Sequence, residues 1–237
     1  LVKIDLLGNR SLAVIRDALA AVHHNTGRLI DYELWDPISD PVTQELIRRG
    51  DTMGCFYVES PATRLLLKKL WTTMPQARRA HADVFEYLVV VSSIIRPAAN
   101  VYADDFIRRS HGHPYRSWHP LLDEVLAETH GIMVYQEDVM KVAVALGGFS
   151  VHDGDQLRKI LSKKHKERQL RDYQRQFYEG AAARDVHRST TDKIWAMIMS
   201  FSGYSFCKPH SASYGQVSFD SAYLRAHYPA EFLAAVI

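Results

Sequence analysis

Twice in the chain, at Asp40-Pro41 and again at Ser60-Pro61, a short side chain that can accept a backbone hydrogen bond stands directly before a proline. Proline lacks the N–H that a first helical turn leaves unpaired, and its fixed φ suits that turn, so each pair predicts a helix start. Gly50 closes the first of these helices, and the second covers Arg64–Leu70. Punctuation of this kind commits the chain to a stack of short helices. Apolar spacing agrees: Leu12, Ile15, Leu19 and Val22 recur at steps of three or four, with Gly27 closing that segment. A long helix is predicted over residues 76–95, ended before Pro97 because the residue preceding a proline avoids the helical well. His119–Thr129, Gln136–Leu146, Thr190–Ser202 and Ser211–His227 follow, and a basic helix is expected to start at Asp153 or Asp155 and run to about Tyr178. Strand signals are confined to Val2–Leu6, Cys55–Val58 and Ile132–Tyr135. The expected fold class is mainly α, with a few short β pieces at the edges.

The 237 residues, 47% of them hydrophobic, suffice for one large domain or two small ones. Formal charge is nearly balanced at +2, but its distribution is not. Residues 156–175 hold Arg158, Lys159, Lys163, Lys164, Lys166, Arg168, Arg171 and Arg175 against only Glu167 and Asp172. Residues 31–60 hold seven acids against Arg48 and Arg49. One concentrated basic element on a mildly acidic body predicts a directed contact with a polyanion. Cys55 and Cys207 are far apart, which excludes a disulfide framework or zinc ribbon and fits a reducing, cytoplasmic location. The longest apolar run, near Tyr87–Ile95, is too short to span a bilayer, so no membrane partner is expected. The abrupt Leu-Val-Lys-Ile-Asp start and a C-terminus inside a helical pattern predict a piece of a longer protein.

Lys164, Arg168, Arg171 and Arg175 recur at steps of four, three and four, which stacks them on one helical face. Leu157, Ile160, Leu161 and Leu170 supply the opposing apolar side. Such a row suits phosphates, because each neutralised phosphate releases counterions; it equally suits a solvated surface face. Within Gly203–Tyr214, Lys208 and His210 arrive at a helix start, where free N–H groups and the macrodipole favour an anion. An ordinary cap over core aromatics would carry the same residues. Asp5, at the end of an apolar strand and before the turn at Gly8, has the placement of a ligand for a hard divalent cation, and also that of a plain turn cap. His23-His24 and His111-Gly-His113 lack the spacing of a helical zinc pair and read as solvated histidines.

Several segments, in order, resemble the C family of bacterial DNA polymerases, the family of DNA polymerase III alpha subunits. Lys3–Arg10 resembles the palm strand that carries the family's third catalytic aspartate, and Gly50–Ser60 the passage from palm to fingers. Ser93–Asn100 is similar to the family's Arg-Pro turn, Thr129–Met140 to a fingers signature, and Leu157–Lys164 to its nucleotide-facing basic helix. Gly203–Tyr214 with Ala226–Phe232 resembles the end of the fingers. The resemblance implies the end of a palm at residues 1–30, a palm-to-fingers connection at 31–60 and a multi-helix fingers domain at 61–237. By the same resemblance, Asp5 is a catalytic metal ligand, Arg158, Lys159, Lys163 and Lys164 contact the incoming nucleotide, and Arg168, Arg171, Arg175, Lys208 and His210 contact DNA. Tyr135, Gln136 and Glu137 are implied to shape the pocket.

The implied function is DNA-directed nucleotidyl transfer from a dNTP to a primer–template, dependent on two Mg²⁺ ions. The family's other two aspartates are expected ahead of residue 1, so the isolated chain is expected to be inactive and not to hold the ions. The implied partners beyond DNA and dNTP are a sliding clamp and other replisome subunits. This sequence departs from the pattern at Lys159, where a second arginine is usual, and at Cys207 and Pro209, where Asn and Ser are common. A competing reading is a non-enzymatic helical nucleic-acid-binding module.

Overall fold

The computed structural model describes residues 9–95, 100–116, 118–161, 167–201 and 207–237. Both proline-led helices form as expected. In α2, Pro41–Arg49, the Asp40 carboxylate accepts from Thr43 N at 2.7 Å, and Gly50 closes the helix at φ 68°. That glycine is required twice over. Its φ is left-handed, and a Cβ there would lie 2.5 Å from the Arg64 carbonyl oxygen. In α3, Pro61–Thr72, Ser60 Oγ accepts from Thr63 N at 3.2 Å. α2 and α3 pack together.

The chain divides into two compact units, Leu1–Ser92 with Ala212–Ile237, and Ser93–Ser211. In the first, α1 (Asn9–Thr26) packs on α13 (Pro229–Val236), and Arg10 and Asn25 bond to Val236 O and Glu231. Ala18, Val22, Ile47, Leu67, Leu70, Leu88, Phe219 and Phe232 are fully buried there. Most of α12 (Lys208–His227) belongs to this unit, and its Asp220 carboxylate accepts the Tyr32 hydroxyl at 2.8 Å.

The second unit is built around α8 (Gln136–Gly147), which contacts α7 (Pro120–Val125), α9 (Val151–Leu161) and α10 (Glu167–Ala182). Val142, Ala143, Leu146, Leu157, Phe177 and Ile194 are fully buried in its core, Ile194 coming from α11 (Arg188–Ser200). α8 and α10 approach closely because Gly147 and Gly180 face each other. A Cβ on Gly180 would overlap the Gly147 carbonyl, and one on Gly147 would lie 2.5 Å from Phe177 Cδ2.

Two helix boundaries expected from the sequence are corrected. The helix expected over 76–95 is two, α4 (Gln76–Arg79) and α5 (Val84–Ile94), because Asp83 caps a fresh start by accepting from Phe85 N and Glu86 N. The start of α9 is set by Ser150, whose hydroxyl accepts from Asp153 N at 3.0 Å, and not by Asp153 or Asp155. The expected basic helix is helical where it is described, as α9 and α10, and residues 162–166 lie outside the described residues.

No strand occurs among the described residues. Cys55–Val58 is a turn in which Tyr57 takes φ 64° and Val58 N bonds to Phe56 O. Ile132–Tyr135 leads into α8, and the N–H of Ile132 goes to the Thr129 carbonyl while those of Val134 and Tyr135 go to Asp138, which leaves three of its four donors unavailable to a neighbouring strand. Val2–Leu6 lies outside the described residues. Among the described residues, no helix is long and apolar enough to cross a membrane.

Candidate functional site

The geometry starts at the first turn of α8. Asp138, 2% exposed, accepts from Val134 N and Tyr135 N at 2.9 and 2.8 Å through one carboxylate oxygen. Its other oxygen faces Lys141 Nζ at 3.6 Å, and burial pushes its carboxyl above the usual carboxylate range. This cap fixes the backbone on which Gln136 and Glu137 stand. Those two side chains then reach opposite neighbours. Gln136 Oε1 accepts from Arg158 Nη1 on α9 at 2.9 Å, and Glu137 Oε2 accepts the backbone N–H of Lys208 at 3.2 Å. The α8 start therefore brings together Arg158, expected at nucleotide, and Lys208, expected at DNA.

On α9, Asp155 serves two cations one turn away. Arg158 bonds it through Nε at 2.9 Å and Nη2 at 2.8 Å, and Lys159 Nζ through its other oxygen at 2.7 Å. The hydrogen bonds from Lys159 and Arg158 hold the Asp155 carboxyl below its ordinary range. Two cations on one carboxylate leave a net positive charge, and both side chains keep surface: 25% for Arg158 and 50% for Lys159. The Arg158 fork is aligned and only partly committed, an arrangement suited to an anionic ligand. Lys208 is more restrained, because its Nζ pairs with Glu128 at 2.5 Å. His210 lies in the first turn of α12, half-buried.

Arg168, Arg171 and Arg175 lie exposed along α10 opposite the buried Phe177 and Ala181. Arg175 meets Asp172 at 3.5 Å; Arg168 and Arg171 have no ion pair among the described residues. Arg171 and Arg175 border a groove that α11 completes with Arg188, whose guanidinium sits 4.2 Å from the Tyr178 ring centroid. Sequence reading missed Arg188, since only the α10–α11 packing brings it to the row. It also missed Asp155 as a charge partner, although its spacing of three and four residues to Arg158 and Lys159 is visible in the sequence.

Asp5, Lys163 and Lys164 lie outside the described residues. Among the described residues, no group of three or more His, Cys, Asp or Glu side chains is placed to hold a metal ion. Burial pushes the Cys55 thiol up to about 12.

Residues 11–185, from α1 into the turn after α10, match the family model of the bacterial DNA polymerase III alpha subunit finger domain. Curated relatives align over the whole chain. A DNA polymerase III subunit alpha of Neisseria meningitidis serogroup B is 38% identical over 237 residues, which are 100% of this chain and 20% of the relative. Proteins of the same name from Chlamydia muridarum and Mycobacterium tuberculosis are 35% and 36% identical, again over 100% of this chain and over 18% and 20% of their own lengths. The chain thus spans about a fifth of the length of these relatives.

Proposed function

Because this chain belongs to the finger-domain family of bacterial DNA polymerase III alpha subunits, we propose that it holds an incoming dNTP and primer–template for a DNA-directed DNA polymerase. Residues 1–30 are then the end of the palm, 31–60 the connection and 61–237 the fingers. The observation that carries this reading is the pair Arg158 and Lys159, held by Asp155 and Gln136 with net positive charge and exposed surface.

In such a reaction the primer 3′-hydroxyl attacks the α-phosphorus, the bond to the bridging oxygen breaks and pyrophosphate leaves. Catalysis is mostly positioning and charge neutralisation. Arg158 supplies a planar fork to non-bridging phosphate oxygens, and Lys159 a point charge beside it. By the family resemblance, Lys163 and Lys164 add further positive charge for the triphosphate in this reading. Arg168, Arg171 and Arg175, with Lys208 and His210, take the primer–template backbone. Two Mg²⁺ ions would activate the hydroxyl and stabilise the leaving group, with Asp5 as one ligand. The described residues by themselves do not fit an Mg²⁺ site. In this reading the isolated chain, with one of the family's three metal-binding aspartates, is inactive in primer extension. A clamp and further replisome subunits are the partners of the full polymerase in this reading.

The test is Arg158→Ala in the full-length polymerase. It is expected to raise KM for dNTP by about tenfold or more, with primer–template affinity retained. An unchanged KM would remove Arg158 from the nucleotide site.

A further inference from the structure

The unit formed by Leu1–Ser92 and Ala212–Ile237 carries guanidinium charge that the nucleotide-holding reading does not use. Three arginines share Glu45: Arg49 Nε at 3.1 Å, Arg79 Nη2 at 3.0 Å and Arg48 Nη1 at 3.8 Å. Arg48 is pressed 5.2 Å from the Trp71 ring centroid, and burial and then the nearby Arg79 charge draw its pKa down. Cations are crowded on too few anions.

A cleft of about 540 Å³ opens beside this cluster, and Arg49, Arg64 and Arg225 line it. Arg64 Nε donates to Gly50 O at 2.9 Å, which fixes the fork while leaving its terminal nitrogens uncommitted among the described residues. Arg225 makes no hydrogen bond or ion pair among the described residues, and its Nε is enclosed without an acceptor. Two acids, Glu45 and Asp51, also line the cleft, and Glu45 is already committed.

The rest of the wall identifies the ligand class. It is aliphatic, built from Val42, Leu46 and Met53, and Val42 and Met53 are 53% and 51% exposed. Among the described residues no aromatic side chain lines it, so a nucleobase would find no ring to stack on. Guanidinium forks beside an aliphatic shelf match a carboxylate next to an aliphatic side chain. We propose that this cleft docks an acidic peptide segment of a partner protein, gripping a carboxylate with Arg64 and Arg225 and seating an aliphatic side chain on Val42, Leu46 and Met53.

Fluorescence anisotropy on the 237-residue chain tests it, with a labelled octapeptide that alternates aspartate and leucine as the probe. Saturable binding is expected, weakened about tenfold by Arg225→Gln and by Val42→Asp. Replacing the peptide's leucines by glycine, or its aspartates by asparagine, is expected to weaken binding similarly. Circular dichroism of both variants should overlay the parent; should Arg225→Gln misfold, the exposed Val42→Asp decides. Unchanged affinity in the folded variants, or equal binding of the glycine-substituted peptide, overturns the proposal. So does a labelled primer–template duplex that loses affinity with Arg225→Gln while the octapeptide fails to displace it, since the cleft is then a nucleic-acid contact. Neither substitution is expected to alter nucleotide use by the full-length polymerase, so failure here is distinguishable from failure of the nucleotide-holding role.

Discussion

Asp155 and Arg158 face each other across one turn of α9, their charged groups 2.8 Å apart, so the arginine expected to meet a triphosphate already has an anion in its grip. A ligand must compete with that carboxylate or share the fork with it. Asp155→Asn is therefore expected to tighten dNTP binding about two- to fivefold at low salt, because Arg158 and Lys159 lose their common anion. The gain should fade with added salt, since the pair is partly exposed. Weaker nucleotide binding in a competition titration would instead make Asp155 the group that aims the fork.

Arg168, Arg171 and Arg175 form an exposed row on α10. Replacing all three by alanine should lower the slope of log K against log salt by about 0.9 for each phosphate left without its cation, or about two to three in all. The measurement is duplex binding by full-length polymerase at several salt concentrations. Parallel slopes for variant and parent would take the row off the DNA.

Gly50→Ala tests local architecture without touching charge. The residue sits at φ 68° with the Arg64 carbonyl 2.5 Å from the position of an added Cβ. A loss of about 2–3 kcal/mol in urea unfolding is expected, more than the usual αL penalty alone. A loss under about 1 kcal/mol would mean that α2 and α3 shift apart at little cost.

Tyr32 gives a pH signature. Burial, then its hydrogen bond to Asp220, pushes the phenol up to about 12. Its folded pKa lies above the unfolded value of about 10. The associated stability is therefore complete below about pH 10 and is lost as pH rises toward 12. Urea midpoints across that range should fall less steeply for Tyr32→Phe than for the parent. Identical alkaline profiles would show that Tyr32 ionises as freely in the folded chain as in the unfolded one.

The helical class and the starts at Asp40 and Ser60 were legible because a cap is a local event, settled by residues a turn apart. The interruption between α4 and α5 was not, because the apolar period continues through it while Asp83 competes for the next N–H groups. Ile132–Tyr135 read as a strand for a related reason. Its β-rich composition reflects burial in an extended helix entry, and composition does not reveal that Asp138 takes the backbone donors. At the candidate site the cations were visible as a run, with Asp155 at pairing distance along the same helix, but the partners supplied by other helices were not. Gln136 and Arg158 are brought together by α8–α9 packing, and Arg188 joins Arg171 and Arg175 only across two helices.

The bare backbones at Gly147 and Gly180 set where the arginine row stands, since α10 rests on α8 with no side chain between them at that point. Adding one methyl group at Gly180 would wedge the two helices apart and swing a whole line of cations without deleting any. Such a lesion would mimic a charge-loss mutant in a binding assay while every arginine remained in the sequence, and a compensating change should arise on α8 and not on the basic face.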